Sequence, residues 1–223
     1  MFKVVRNIAA PECLGRRIYN HQSVVDSLRI IFYDKCYLCE QGQLSDPEIE
    51  HFIPHEDNDN LKYSWGNLFY SCSRCNSIKS NTYKNLLDCT SEGLDVFNEI
   101  KHSAGNAAVG KIILEATNPK PSQATLNTIA LLNECFNSEN TGLRGVTKES
   151  LMEKIISDYI YLMNLRVILA NPKSTEAEIT DAKDKLVPMC KVSYPFSVFW
   201  RWHILSDKTL SRLYPDLREF LNF

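Results

Sequence analysis

The sequence has no uninterrupted apolar run of 18 residues, so no membrane-spanning helix is expected. Its first residues, MFKVVRNIAAPECLGRR, lack the sustained apolar stretch of a secretory leader. There is no internal repeat and no low-complexity segment. The net charge of −2 gives no chain-wide basic surface, which argues against a generic nucleic-acid coat. Cysteine, by contrast, is plentiful, at eight in 223 residues. Without a leader, so many thiols point to a reducing compartment, the cytoplasm, where they hold metal or are simply buried.

Charge is unevenly placed. Between Glu40 and Asp59 stand seven carboxylates (40, 46, 48, 50, 56, 57 and 59) and no Lys or Arg. From Asn60 to Leu87 the balance inverts, with Lys62, Arg74, Lys79 and Lys84 and no carboxylate. Such blocks are either solvated faces or, beside a metal site, a hold on a phosphate backbone. The apolar spacing predicts a helix within 18–33, short strands at Glu48–Ile53 and Asn67–Cys72, and a helix after Cys75. Pro54 is expected to end the first strand, and HEDNDNLKYSWG to form a loop. Beyond about residue 100 the pattern reads as helical scaffold. TNPKPSQAT (117–125) looks like a linker, Thr128–Phe136 and Lys148–Ala170 like helices, and Thr175 with Glu178 like a capping box opening another. The aromatic-rich end, Phe196–Phe223, reads as helical with a break before Pro215.

CYLC at 36–39 and CSRC at 72–75 carry the strongest chemical signal. Two residues between cysteines form a tight turn that aims both thiolates at one ion, and two such turns close a tetrahedral zinc site. Cys36, Cys39, Cys72 and Cys75 are therefore the expected structural zinc ligands; the alternatives are buried thiols or a redox pair. A closed four-cysteine site has no open position. His51 and His55 in the intervening EIEHFIPH must then serve something else. Cys13, Cys89, Cys135 and Cys190 lack paired spacing and read as core or surface thiols.

Glu50-His51 near a strand end, Asn67 opening the next strand, and Cys72-Ser-Arg-Cys75-Asn76-x-x-Lys79 together resemble the zinc-knuckle HNH endonucleases. The fold this implies is mainly α with a small ββα-metal core. A β-hairpin plus helix is stapled by the four-cysteine zinc and surrounded by helices. I-E-H-F-x-P followed by W-x-N-L-x-x-S-C-x-x-C-N is more narrowly similar to the HNH subunit of Septu-type antiphage systems, over about residues 33–85. LLDC (86–89) and TIALLN (128–133) look like downstream elements of that group, with Cys89 where a proline is expected. With the helical pattern beyond about residue 100, the chain is expected to divide into 1–100, a nuclease core with an N-terminal helix, and 101–223, a helical scaffold or partner-binding region. A single compact domain is the alternative.

By the same resemblance His51 is the general base, since a neutral imidazole can take a proton from water at physiological pH. Glu50 and Asn76 are the ligands of a catalytic Mg²⁺ or Mn²⁺, which suits oxygen donors. Asn67 holds the loop and orients His51. Arg74 and Lys79 are candidates for phosphate contact or plain surface charges. In-line attack by a water that His51 activates is then expected to leave 5′-phosphate and 3′-hydroxyl ends, beside an ion that neutralises charge on the phosphate. The implied substrate is DNA, with RNA such as tRNA as the alternative, and the implied partner is a PtuA-like ATPase, as in Septu or retron-associated defence. A non-catalytic zinc module binding nucleic acid or protein is the reading from another class, although it needs none of Glu50, His51 and Asn76. Because adjacent strand residues face opposite ways, Glu50 and His51 serve one phosphate only if the strand bends or ends there.

Other residues carry weaker signals. His55 is a substrate or metal contact or an ordinary loop histidine, and His21, His102 and His203 have no assigned role. WRWH at 200–203 either stacks on bases or packs a terminal helix. Tyr63 and Trp65 either approach nucleic acid or anchor the loop.

Overall fold

The computed structural model describes residues 1–105, 107–139 and 147–223. The first helix, α1 (Gln22–Ile31), is capped by His21, whose Nδ1 accepts from the Ser23 amide. Val24, Leu28 and Ile31, spaced to share one face, are buried. Tyr33 and Asp34 then take positive φ (57° and 53°), and this turns the chain sharply into the first cysteine pair.

The strand β1 (Pro47–His51) comes next, then a one-turn helix α2 (Asp59–Lys62), the strand β2 (Leu68–Cys72) and α3 (Ser73–Lys79). β1 and β2 are antiparallel, with Glu50 opposite Phe69 and His51 opposite Leu68. Every residue of β2 is buried, because the hairpin packs one face on α1 and the other under α3. β1 ends at His51, before Pro54. Ile53 leaves the ladder because its peptide is taken up by the Asn67 side chain. The hairpin-plus-helix order expected from the sequence is present, with strand boundaries displaced by a residue or two.

The second half departs from an all-helical scaffold. After α4 (Val96–Glu99), β3 (Ile100–Ser103) and β4 (Ile113–Ala116) form a second antiparallel hairpin. Its strands are four residues each, too short for alternation to stand out in the sequence. The helices α5 (Gln123–Asn137), α6 (Lys148–Ala170), α7 (Glu176–Cys190), α8 (Ser197–Ser206), α9 (Lys208–Leu213) and α10 (Leu217–Leu221) follow. The Thr175–Glu178 capping box opens α7 with both reciprocal hydrogen bonds made. Trp200 and Phe199 of WRWH's helix are fully buried, which is the core-packing reading of that stretch. No helix among the described residues is long and apolar enough to cross a membrane.

A division at residue 100 falls at β3, and buried contacts cross it. The Met1 amine donates to His102 Nε2 (3.2 Å), and Lys35 Nζ reaches Glu40 (3.1 Å), the Tyr194 carbonyl (2.9 Å) and Ser197 (3.4 Å). The loop after the first cysteine turn is thereby tied to the start of α8.

Candidate metal centre and active site

Cys36 and Cys39 lie on a turn in which the Glu40 amide donates to the Cys36 carbonyl (2.9 Å). Cys72 ends β2 and caps α3, its Sγ accepting from the Cys75 amide (3.5 Å). The Tyr37 amide donates to the Tyr70 carbonyl (3.0 Å), fastening one turn to the strand that carries the other. All four thiols are buried, with sulfurs within 4.8 Å of one another and Cys39 and Cys72 3.9 Å apart. Sulfurs around a tetrahedral zinc at ~2.3 Å stand about 3.8 Å apart, so the cluster fits that ion. Burial opposes ionisation of Cys36, yet hydrogen bonds from the other three thiols hold it well below the usual thiol range. Cys39 and Cys75 are pushed up, and a divalent cation would reverse that. A fifth thiol, the buried Cys135 of α5, lies near enough to Cys75 to push its thiol pKa up. No spacing in the sequence signals it, because it arrives from another element.

Beside the cluster, β1 and α3 face each other with matched side chains. Glu48 and Glu50, two apart on a strand, share a face, as do Asn76 and Lys79, three apart on a helix. Asn76 Nδ2 donates to Glu48 Oε2 (2.5 Å), and Lys79 Nζ donates to Glu50 Oε1 (2.7 Å) and to the His51 carbonyl (2.9 Å). Burial pushes the Glu50 carboxyl up to about 7; the Lys79 ammonium opposes this, while Cys36 and Glu48 add to it. Asn76 thus meets Glu48 directly, whereas Glu50 meets Lys79. The sequence places Glu48 in the acidic block and at the start of the first strand but assigns it no part in the site; strand alternation from Glu50 is the signal that points to it. Carboxylate and amide oxygens are the donor type a hard ion such as Mg²⁺ or Mn²⁺ takes; here Asn76 turns its Nδ2 to Glu48, and one Glu50 oxygen is bound to Lys79.

His51 lies at the end of β1. Its Nε2 lies 3.0 Å from the Lys62 carbonyl, and Tyr19 and His55 set their rings edgewise to it at 4.9 and 4.7 Å. A carbonyl only accepts, so Nε2 carries the proton and Nδ1 keeps its lone pair. Burial lowers the His51 pKa, favouring the neutral ring; the Lys62 carbonyl opposes that lowering. His55 Nδ1 accepts from the Asp57 amide (3.2 Å), which holds it in the loop. Asn67 accepts from the Ile53 amide (2.7 Å) and donates to the Ile53 and Leu61 carbonyls (2.8 and 3.0 Å). It therefore pins both arms of the loop whose Lys62 carbonyl holds His51. Trp65 donates to the Ile8 carbonyl (3.1 Å), anchoring the same loop on the N-terminal segment.

The two basic candidates are both buried. Arg74 is 1% exposed and donates to the carbonyls of Cys135 (3.0 Å) and Ser138 (2.6 Å) at the end of α5. A guanidinium so placed is not presented to a phosphate in this conformation; it caps a helix C-terminus. Lys79, 0% exposed, is paired within the site rather than on a surface. Their sequence context gave no sign of this, since burial of a charge depends on partners brought by distant elements.

Two cysteine turns, a hairpin ending in Glu-His and a following helix carrying Asn form a ββα arrangement around the cysteine cluster. Residues 36–82 match the HNH endonuclease family model. Over 47 residues, 21% of this chain, the sequence is 43% identical to Septu protein PtuB from Bacillus thuringiensis. That stretch spans 18% of the PtuB chain. No solved structure matches.

Proposed function

We propose that the chain is a metal-dependent HNH endonuclease that hydrolyses nucleic-acid phosphodiesters, with DNA as the favoured substrate. The observation that carries this reading is the fixed tautomer of His51. A backbone carbonyl holds Nε2–H, burial keeps the ring neutral, and Nδ1 is left as a base at the end of the strand that bears Glu50. Glu50 and Asn76 would hold Mg²⁺ or Mn²⁺, which supplies charge neutralisation for the phosphate when bound. His51 Nδ1 takes a proton from the attacking water. Asn67 keeps the loop, and with it the imidazole, in place. The four cysteines would hold a structural zinc in a closed site of its own, which takes no part in this chemistry.

The similarity to a Septu protein supports a role as effector in bacterial antiphage defence, in the cytoplasm and beside a PtuA-like ATPase. Retron association and tRNA cleavage belong to the same reading with a different trigger or substrate. The test is incubation of the purified chain, alone and with its candidate ATPase, on plasmid and total RNA with Mg²⁺. Cleavage with 5′-phosphate ends is expected, and the substrate cut separates DNA from RNA. His51→Ala should lower the rate by about 10²–10⁴-fold with zinc content unchanged. Equal cleavage by that variant removes His51 from the role of base.

A further inference from the structure

Asn76 is useful to a cation only through its amide oxygen, and an asparagine amide can face either way. Its partner in the fold resolves the choice. Glu48 offers a carboxylate, which accepts and does not donate, and its Oε2 lies 2.5 Å from Asn76 Nδ2. The NH₂ group is therefore turned toward β1 at Glu48, and Oδ1 is turned the other way. α3 seats Lys79 on the same face as Asn76, three residues on, so the helix cannot rotate about its axis without breaking the Lys79 bonds to Glu50 and to the His51 carbonyl. The side chain of Asn76 is thus set by Glu48 and its backbone by the Lys79 contacts.

Resting on the nuclease reading, we infer that Glu48 is a positioning residue: it orients the Asn76 amide so that Oδ1 is presented to the divalent ion. Glu48 acts through a hydrogen bond accepted by a side-chain oxygen, not through its charge and not as a ligand. Glutamine at this position retains an accepting oxygen of the same reach, whereas alanine retains none. This separates positioning from ligation, because a carboxylate ligand to a hard cation is poorly replaced by a neutral amide.

The test is Mn²⁺ binding to the zinc-loaded full chain, followed by electron paramagnetic resonance of free Mn²⁺, with cleavage measured in parallel. Glu48→Ala is expected to weaken Mn²⁺ binding by about 10- to 100-fold, the range for loss of an orienting partner. Glu48→Gln should remain within about threefold of the unmodified chain, with zinc content and circular dichroism unchanged in both. In an Asn76→Ala background the Glu48→Ala change should have no further effect on binding, since no amide is left to orient. Equal losses in Glu48→Gln and Glu48→Ala would overturn positioning in favour of direct ligation. Unaltered Mn²⁺ binding by Glu48→Ala, in a chain that still cuts nucleic acid, would overturn the inference and leave the nuclease reading standing. An unmodified chain that neither binds Mn²⁺ nor cuts any substrate overturns both.

Discussion

At the residue scale the site depends on two polar side chains that spend their hydrogen bonds on backbone. His51 gives Nε2–H to the Lys62 carbonyl, and Asn67 gives or takes three bonds across residues 53 and 61. Asn67 is buried, so removing its side chain strands the Ile53 peptide and the Leu61 carbonyl together. Asn67→Ala should cost about 1–3 kcal/mol in urea unfolding. It should also lower the cleavage rate by more than the folded fraction explains, because the carbonyl that fixes His51 moves with the loop. Asn67→Asp keeps the acceptor for the Ile53 amide and loses both donors, so it should fail almost as badly. A rate that tracks only the folded fraction would make Asn67 purely structural. The roles proposed for His51 and Asn67 rest on a resemblance carried by a few residues in order. The Lys62 carbonyl that sets the tautomer was not legible in the sequence, since any residue supplies a carbonyl and only the fold says which one arrives.

At the element scale the cysteine turns and α5 meet through residues whose spacing says nothing about it. The four-cysteine cluster was legible because a metal site demands short, repeated spacing. Cys135, against Cys75, and Arg74, against the end of α5, were not, for they join elements some 60 positions apart. Arg74→Leu removes the cap from the Cys135 and Ser138 carbonyls, and the expected cost is about 1–3 kcal/mol. Its specific activity per folded molecule should stay near that of the unmodified chain. A large fall in kcat/KM without loss of stability would instead restore Arg74 to phosphate contact. Chelation of a zinc held by these cysteines should act on the same junction, since four buried thiols without an ion must share protons at close range. Cys36→Ser is expected to release zinc and lower the thermal midpoint, and a folded, zinc-free variant of unchanged midpoint would refute the staple. The second hairpin belongs to this scale too. With four-residue strands it offered no usable period, and its existence depends on packing against α5 and α8.

Across the whole molecule, two buried neutral histidines to which the sequence assigns no role, His102 and His203, tie together segments distant in the chain. His102 donates from Nδ1 to the Ile100 carbonyl (3.0 Å) and accepts the Met1 amine at Nε2 (3.2 Å). His203, from α8, accepts the Ala104 amide at Nε2 (3.1 Å) and packs its ring 4.8 Å from Tyr159. Each needs an unprotonated nitrogen as acceptor. Burial accordingly lowers both, His102 well below the ordinary imidazole value and His203 to about 4. An unfolded chain takes up these protons near pH 6.5, whereas the fold resists them, so the unfolded state binds more protons over the interval between. The stabilisation is complete above about pH 6.5 and is lost as pH falls toward 4. The urea midpoint of the metal-loaded chain should therefore drop between pH 7.5 and pH 5. His203→Gln supplies an accepting amide oxygen to the Ala104 amide and does not titrate, so its midpoint should drop by less over the same range. An identical drop in both proteins would mean that His203 contributes nothing to the acid limb. It would also leave His102, which accepts the Met1 amine, as the buried histidine to test next by the same comparison.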